Sequence, residues 1–133
     1  MADEVIAGRY RLEQRIGGGV MSEVWSVTDA DLGRRVALKL LGPNADPARF
    51  EREARAAAAL AHTNICAIYA YGGTHGRPFM VLEYLSGGSL EERLARGRPL
   101  PDAEAHRIAA EIAAGLAHAH RSEERRVGKE CRL

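Results

Sequence analysis

The hydrophobic positions in the first 41 residues fall in short runs rich in Val, Leu and Ile, and turns containing glycine separate these runs. This pattern is typical of consecutive antiparallel strands. It predicts three strands, near Tyr10–Ile16, Glu23–Thr28 and Arg35–Leu41. Turns are then expected at Gly17–Ser22 and at Asp29–Arg34, and the first of these is unusually dense in glycine.

A helix and two further strands are predicted in the middle of the chain. The stretch Ala48–Ala61 follows Asp46-Pro47 and consists of strong helix formers, so it predicts one helix. The apolar runs Ile65–Tyr71 and Phe79–Leu85 are joined by a glycine-rich hairpin connection, and they predict strands four and five. The sequence therefore predicts an α+β fold with a five-stranded antiparallel sheet and one helix.

The last third of the chain is predicted to be helical up to His120. A short helical segment is expected at Ser89–Arg96, and a longer helix follows Pro101. Apolar residues recur in the longer helix at a spacing of three or four, which predicts one buried face; they are Ile108, Ile112, Leu116 and Ala119. From Arg121 onward, 8 of 12 residues are charged and no amphipathic period is present, so we do not expect the fold to continue there.

Composition excludes several classes of protein. A length of 133 residues suits one modest domain, and a net charge of +1 gives no global field that favours nucleic acid or an anionic membrane. The two cysteines form no CxxC pair, so neither a disulfide framework nor a zinc site is expected, and a reducing, cytoplasmic setting fits. The sequence contains no run of about 18 apolar residues, so no membrane span is predicted.

The segment Ile16–Val24 fits the pattern GxGxxGxV, with Ser22 in place of the last glycine. A dinucleotide-binding fingerprint leads into a helix, whereas this segment leads into another strand. Glycines in such a hairpin let backbone N–H groups approach phosphate oxygens closely. The pattern therefore favours a phosphate-binding hairpin, and the alternative is an ordinary flexible turn.

A second candidate element is the strand that contains Lys39. Strand alternation places Ala37 and Lys39 on one face, so a small side chain can face a planar base while the ammonium group reaches phosphates. The alternative is a solvated lysine on an exposed strand. In the following helix, Glu53 is placed to pair with Lys39 and to hold its ammonium group in position.

The glycine hairpin, the lysine strand and the helix glutamate together resemble the small lobe of a protein kinase. The details are most similar to the eukaryotic-like serine/threonine kinases of bacteria, and the resemblance covers Tyr10–His120. It continues through His62–Ile65, which resembles the helix-to-strand junction of the family, and through Met80–Leu85, which resembles the fifth strand and hinge. It implies a small lobe and hinge at residues 10–85 and the start of a large lobe at residues 86–120.

The resemblance also implies the residues of an ATP site. Ile16, Val24 and Ala37 would cover the adenine, Leu82 would be the gatekeeper, and the hinge backbone would bond the adenine edge. The implied ATP-binding residues are Ile16, Gly17, Gly18, Gly19, Val24, Ala37, Lys39, Glu53, Leu82, Glu83 and Leu85. No catalytic or metal-binding residue is implied in this chain, and Mg²⁺ is expected only in the full-length protein.

Phosphoryl transfer in this family uses an aspartate that orients the substrate hydroxyl, and an asparagine and a second aspartate that hold magnesium. These residues are expected after the long helix, but residues 121–133 contain no His, Asp or Asn. We therefore expect a chain that binds ATP and is inactive by itself. The run Arg121–Arg132 looks like the translation of a sequencing adapter, which implies a truncated gene with a non-native tail at residues 121–133; the alternative is a natural basic tail.

Two functions remain open at this point. The first is the N-terminal part of a serine/threonine kinase that phosphorylates proteins when full length. The second is a pseudokinase-like module that binds nucleotide or a protein partner without catalysis. The apolar stripe of the long helix, Ile108, Ile112 and Leu116, would pack within the large lobe of a full kinase and has few partners in this chain. The chain is therefore also expected to be marginally stable and prone to aggregation.

Overall fold

The computed structural model describes residues 4–19, 21–42, 44–74 and 77–131, with side chains described up to residue 123 except that of residue 74. Val20 of the predicted glycine turn, and His75 and Gly76 of the predicted hairpin connection, lie outside these residues. The chain divides into two compact units. The first contains the residues up to Ala59 together with Ala67–Leu85, and the second contains Leu60–Cys66 together with the chain from Ser86 onward.

An antiparallel sheet forms most of the first unit. Within the described residues it has six strands in the order β1-β2-β3-β4-β6-β5. The strands are β1 (Val5–Ile6), β2 (Tyr10–Gly18), β3 (Ser22–Asp29), β4 (Arg34–Leu41), β5 (Ile68–Thr74) and β6 (Arg77–Leu82). The five predicted strands are confirmed as β2–β6, and the α+β class is correct. The first strand was not predicted because two residues are too short to show an alternation.

Helix α1 (Pro47–Ala58) lies between β4 and β5 in sequence. The Asp46 carboxylate caps it by accepting hydrogen bonds from the N–H groups of Ala48 and Arg49, at 3.0 and 3.4 Å. The helix ends at Ala58, three residues before the predicted end, and β5 begins at Ile68, three residues after the predicted start. Both differences have one cause, since Leu60–Cys66 belongs to the second unit.

The hydrophobic core lies on one face of the sheet. In β4, Val36, Leu38 and Leu40 are almost fully buried, as the predicted alternation requires. They pack with buried residues of the neighbouring strands, which are Ile6, Tyr10, Leu12, Val27, Phe79 and Val81. Helix α1 buries Phe50 and Ala54, which lie one turn apart.

An ion pair between Arg9 and Asp29 ties the turn after β1 to the turn after β3. Asp29 is only 2% exposed, and its two carboxylate oxygens accept hydrogen bonds from the Arg9 guanidinium at 2.8 and 2.9 Å. The N–H groups of Asp31 and Leu32 donate to the same carboxylate. The hydrogen bond from Arg9 is the main cause that lowers the pKa of Asp29, and the same bond raises the pKa of Arg9.

The second unit contains two helices, α2 (Leu90–Ala95) and α3 (Asp102–Cys131). The expectation that the fold stops at Arg121 is wrong for the backbone, because α3 continues to Cys131. The residues beyond Arg121 are mainly Arg, Glu and Lys, which are good helix formers, and no proline interrupts them. The loop Leu60–Cys66 also belongs to this unit, where the Asn64 side chain donates a 3.0 Å hydrogen bond to the Glu111 carbonyl.

The apolar stripe predicted on α3 is present but is largely exposed. Ile112 and Leu116 are 50% and 54% exposed, although Ile108 and Ala119 are partly buried. One turn of helix separates Ile112 from Leu116, so the two side chains form a continuous apolar surface. A surface of this kind promotes association between molecules in solution.

We predict that the double substitution Ile112→Gln and Leu116→Gln reduces self-association of the chain. Glutamine is a good helix former, so helicity should be retained while the apolar surface is lost. Sedimentation velocity should show a larger monomer fraction, with an unchanged far-UV circular dichroism spectrum. The matched control is Leu90→Gln with Leu94→Gln on α2, where the exposed leucines have the same spacing. An equal gain in monomer from the control would contradict a special role for the α3 stripe.

We also predict that Asp29→Asn makes the free energy of unfolding less dependent on pH in the acid range. The folded-state pKa of Asp29 lies below its unfolded value of about 3.9. Its contribution to stability is therefore complete above that value and is lost as the pH falls toward the folded-state pKa. Urea unfolding between pH 7 and pH 2 should show wild type as the more stable protein at pH 7, with the difference shrinking below about pH 4.

The matched control for this substitution is Asp31→Asn, which removes an exposed carboxylate 3.4 Å from the same arginine. The difference in unfolding free energy between wild type and the Asp31 variant should change less with pH than the difference for the Asp29 variant. Identical pH profiles for the two variants would show that the ion pair between Arg9 and Asp29 is not the cause.

Candidate functional site

The glycine-dense segment forms the hairpin between β2 and β3. Gly17 pairs with Val24 and Gly18 pairs with Glu23, and the Gly19 N–H donates to the Ser22 carbonyl at 2.9 Å. The strand–turn–strand arrangement confirms the prediction that this motif forms a hairpin. It does not match the strand–turn–helix arrangement of a dinucleotide-binding fingerprint.

The middle glycine is the one that the backbone of the hairpin requires. Gly18 has a φ of +107°, and a Cβ there would lie 2.4 Å from the Ser22 carbonyl oxygen. Gly19 has open space around its Cα, and a Cβ on Gly17 would meet only the Val24 side chain at an ordinary distance of 3.9 Å. Neither of these glycines is required by a close contact of this kind, while Gly18 permits the turn.

Four of the implied ATP-binding residues share one face of the sheet. Residues paired directly across antiparallel strands point to the same face. Val24 pairs with Lys39, and Ala37 of the same strand as Lys39 pairs with Leu82. We call the surface formed by Val24, Ala37, Lys39 and Leu82 the lysine face. It lies opposite the hydrophobic core; Val24, Lys39 and Leu82 are partly exposed there, whereas Ala37 is only 7% exposed.

Two residues of this face were not singled out from the sequence. Met80 pairs directly with Lys39 on the β6 side, and Ser26 pairs with Ala37 on the β3 side. Ser26 is almost fully buried. The period of two that places Val24 and Leu82 on this face also places Ser26 and Met80 there, so the alternation carried this information.

The predicted pair between Lys39 and Glu53 is absent from the part of the chain that the structure describes. The Glu53 carboxylate instead accepts a 3.1 Å hydrogen bond from Arg49, one turn earlier on α1, and Glu53 is 63% exposed. An arginine four residues from a glutamate on a helix surface is a neighbour by geometry alone. This local partner was overlooked in the sequence.

The segment after β6 contains the implied hinge residues Glu83 and Leu85. The Glu83 N–H donates to the Ala67 carbonyl at 2.9 Å, and the Glu83 carboxylate accepts from the Ala67 N–H at 3.2 Å. These two bonds hold the backbone of the segment next to the start of β5. Leu85 and Ile16 are both exposed apolar side chains.

A family model of the protein kinase domain matches residues 10–125. The chain belongs to the protein kinase family. Its kinase-domain sequence is 38% identical over 123 residues to the serine/threonine-protein kinase PrkC of Bacillus subtilis, covering 89% of this chain and 19% of PrkC. It is 36% identical over 127 residues to the probable serine/threonine-protein kinase pknA2 of Bifidobacterium longum, covering 90% of this chain and 17% of that protein.

A solved structure agrees with this assignment to the kinase family. The crystal structure of the PknI kinase domain of Mycobacterium tuberculosis matches with a TM-score of 0.80 and 30% sequence identity, over 91% of this chain and 51% of that one. The predicted resemblance to bacterial serine/threonine kinases and the small-lobe fold are therefore confirmed. The chain spans about a fifth of the length of the curated relatives and about half of the solved kinase domain.

Among the residues that the structure describes, no helix of this kinase chain combines the length and the apolar character needed to cross a bilayer.

We predict that Gly18→Ala disrupts the hairpin and that Gly19→Ala does not. An L-residue with positive φ is disfavoured by about 1–2 kcal/mol, and the overlap with the Ser22 carbonyl adds to this cost. Thermal unfolding should show a clear loss of stability for the Gly18 variant, and its hairpin amides should exchange with solvent faster. The Gly19 variant is the matched control, with an expected change within about 0.5 kcal/mol. Equal stability of both variants would contradict the described turn.

Proposed function

We propose that this chain binds ATP on the lysine face of its sheet, and that it is part of a serine/threonine protein kinase. The full-length enzyme would transfer the γ-phosphoryl group of Mg-ATP to serine or threonine of a protein substrate, in the cytoplasm. The observation that carries the proposal is the position of Lys39, directly opposite Val24 and two residues from Ala37, on a face that the glycine hairpin adjoins.

Each part of this surface has a role in the proposed complex. Backbone N–H groups near Gly17 and Gly19 can approach phosphate oxygens because no Cβ blocks them. The Lys39 ammonium group supplies a positive charge for the phosphates. Ala37 and Leu82 form a small, apolar patch for the adenine, and the backbone of Glu83 and Leu85 would hydrogen-bond its edge.

Glu53 enters the proposed site on the strength of the family resemblance. Exposed helix pairs such as Arg49–Glu53 contribute about 0.3–0.5 kcal/mol in general. A pair this weak offers little resistance to a change of partner, so Glu53 can leave Arg49 for Lys39 when ATP is bound. The observed pairing is therefore compatible with the proposal.

Magnesium is assigned to the full-length protein and not to this chain. Magnesium is a hard cation that is bound by oxygen ligands, so a protein site for it needs carboxylate oxygens that lie close together. The described residues include no group of three or more His, Cys, Asp or Glu side chains that could hold a metal ion.

A pseudokinase-like nucleotide-binding or interaction module is the second candidate function. The observation that favours it is that Glu53 pairs with Arg49 and not with Lys39 among the residues that the structure describes. Re-reading the gene beyond the codon for His120 separates the two candidates. A kinase gene should continue with the motifs that supply the catalytic aspartate and the magnesium ligands, whereas a pseudokinase gene should lack them.

We predict that Lys39→Met weakens ATP binding to this chain by about ten- to a hundredfold, the equivalent of one hydrogen bond to a charged group. Isothermal titration with ATP should measure the change, and circular dichroism should show an unchanged fold. Arg52→Met is the matched control, because it removes one exposed positive charge from α1 and none from the lysine face, and it is expected to leave affinity within about twofold.

The same substitution in the full-length protein is expected to abolish autophosphorylation while the protein remains folded. Retained autophosphorylation would remove Lys39 from its proposed role. Undiminished ATP binding by the Lys39 variant of this chain would place the nucleotide elsewhere.

A further inference from the structure

A cavity of about 700 Å³ lies within the second unit, at the connection between α2 and α3. Its wall consists of Arg93, Arg96, Arg98, Glu104 and the apolar segment Pro99–Pro101. This volume falls in the range of about 300–1,000 Å³ that is usual for small-molecule sites. None of these residues belongs to the lysine face, the glycine hairpin or the hinge segment.

The charge of this cavity is only partly compensated. Both Glu104 carboxylate oxygens accept hydrogen bonds from Arg93, one of them at 2.8 Å, and Arg107 lies 3.7 Å from Glu104. In the part of the chain that the structure describes, no ion pair joins Arg96 or Arg98 to a carboxylate. Arg96 and Arg98 are exposed and therefore bring two positive charges to the wall that no described carboxylate pairs with.

The two arginines are carried by a short and constrained segment. The Arg96 N–H donates to the Arg93 carbonyl at the end of α2, and Gly97 reverses the chain with a φ of +77°. Pro99 and Pro101 have a restricted φ, which limits the conformations of the segment before α3 begins. A backbone that is already ordered loses less conformational entropy when a ligand binds.

The chemistry of the wall indicates a class of ligand. A guanidinium group offers parallel N–H donors that match the oxygens of a phosphate group, and paired arginines are typical of phosphate recognition. A free phosphate ion has five heavy atoms and would fill little of this cavity, given that one water molecule takes about 30 Å³. Pro99–Pro101 supplies an apolar wall for a larger, organic part of the ligand.

We propose that this cavity binds a phosphomonoester carried on an organic group, with Arg96 and Arg98 donating hydrogen bonds to the phosphate oxygens. Arg93 is held by Glu104 and shapes the wall, while the Pro99–Pro101 segment contacts the organic group. The proposal is independent of ATP binding on the first unit, because it rests on residues of the second unit alone.

The test is isothermal titration of the whole chain, without nucleotide, at low ionic strength. The probes are a phosphoserine pentapeptide, its unphosphorylated form, O-phosphoserine and inorganic phosphate. The variant Arg96→Gln with Arg98→Gln should bind both phosphoserine probes at least about tenfold more weakly, because it loses two charge-assisted hydrogen bonds. The control Arg11→Gln with Arg52→Gln removes the same charge from exposed positions and should bind within about twofold of wild type.

The probes also distinguish the source of the phosphomonoester. If the phosphorylated pentapeptide binds more tightly than O-phosphoserine, the proposal is supported and the ligand is a protein segment. If O-phosphoserine binds as tightly as the pentapeptide, the proposal is supported and the ligand is a small phosphorylated metabolite. Lys39→Met should leave either affinity unchanged, which separates this result from the outcome for ATP.

Four results would overturn the proposal. They are no saturable binding of either phosphoserine probe, equal losses in the two double variants, equal binding of the unphosphorylated peptide, and binding of inorganic phosphate as tight as that of both organic probes. Circular dichroism of each variant confirms that a loss of binding is not a loss of folding.

Discussion

The alternation of side chains along β4 is the constraint on which the fold and the candidate site both depend. This strand pairs with β3 on one side and with β6 on the other, so its register positions three strands at once. Val36, Leu38 and Leu40 must all face the core, and a shift of one residue would bury Lys39 in their place. The cost of burying an unpaired ammonium group makes that shift strongly unfavourable.

The same constraint explains why few further interactions are needed to bring the residues of the candidate site together. Once β4 is in register, Val24 on β3 and Leu82 on β6 are brought beside Lys39 and Ala37 without any further interaction. The glycine hairpin follows from the pairing of β2 with β3, and only Gly18 carries a conformational requirement there. Packing on the core side of the sheet therefore positions the lysine face on its opposite side.

The parts of the fold predicted correctly from sequence are those encoded by local periodicity. The alternation in β4 predicted that Ala37 and Lys39 share one face, and the glycines predicted the hairpin. The ends of α1 and β5 were misplaced because Leu60–Cys66 joins the second unit, a non-local effect that no helix propensity reports. The continuation of α3 was missed for the opposite reason, since a charged run without amphipathic period can still have high helix propensity.

Side-chain pairing was the least predictable property, because several partners were often within reach. Glu53 had a distant candidate in Lys39 and a neighbour in Arg49, and the structure shows the neighbour. The α2–α3 cavity was missed for a related reason. Its charge becomes apparent only when the contact between Arg93 and Glu104, from two different helices, is known.

The proposed nucleotide site therefore combines two kinds of residue. Lys39 and Ala37 are fixed by strand register and by a core that tolerates little movement. Glu53 is on the exposed surface of α1 and is held by one solvent-screened pair. Of these two residues, Glu53 is the one whose pairing can change at low cost, because its contact with Arg49 is exposed, whereas the backbone of Lys39 is held by the strands on both sides.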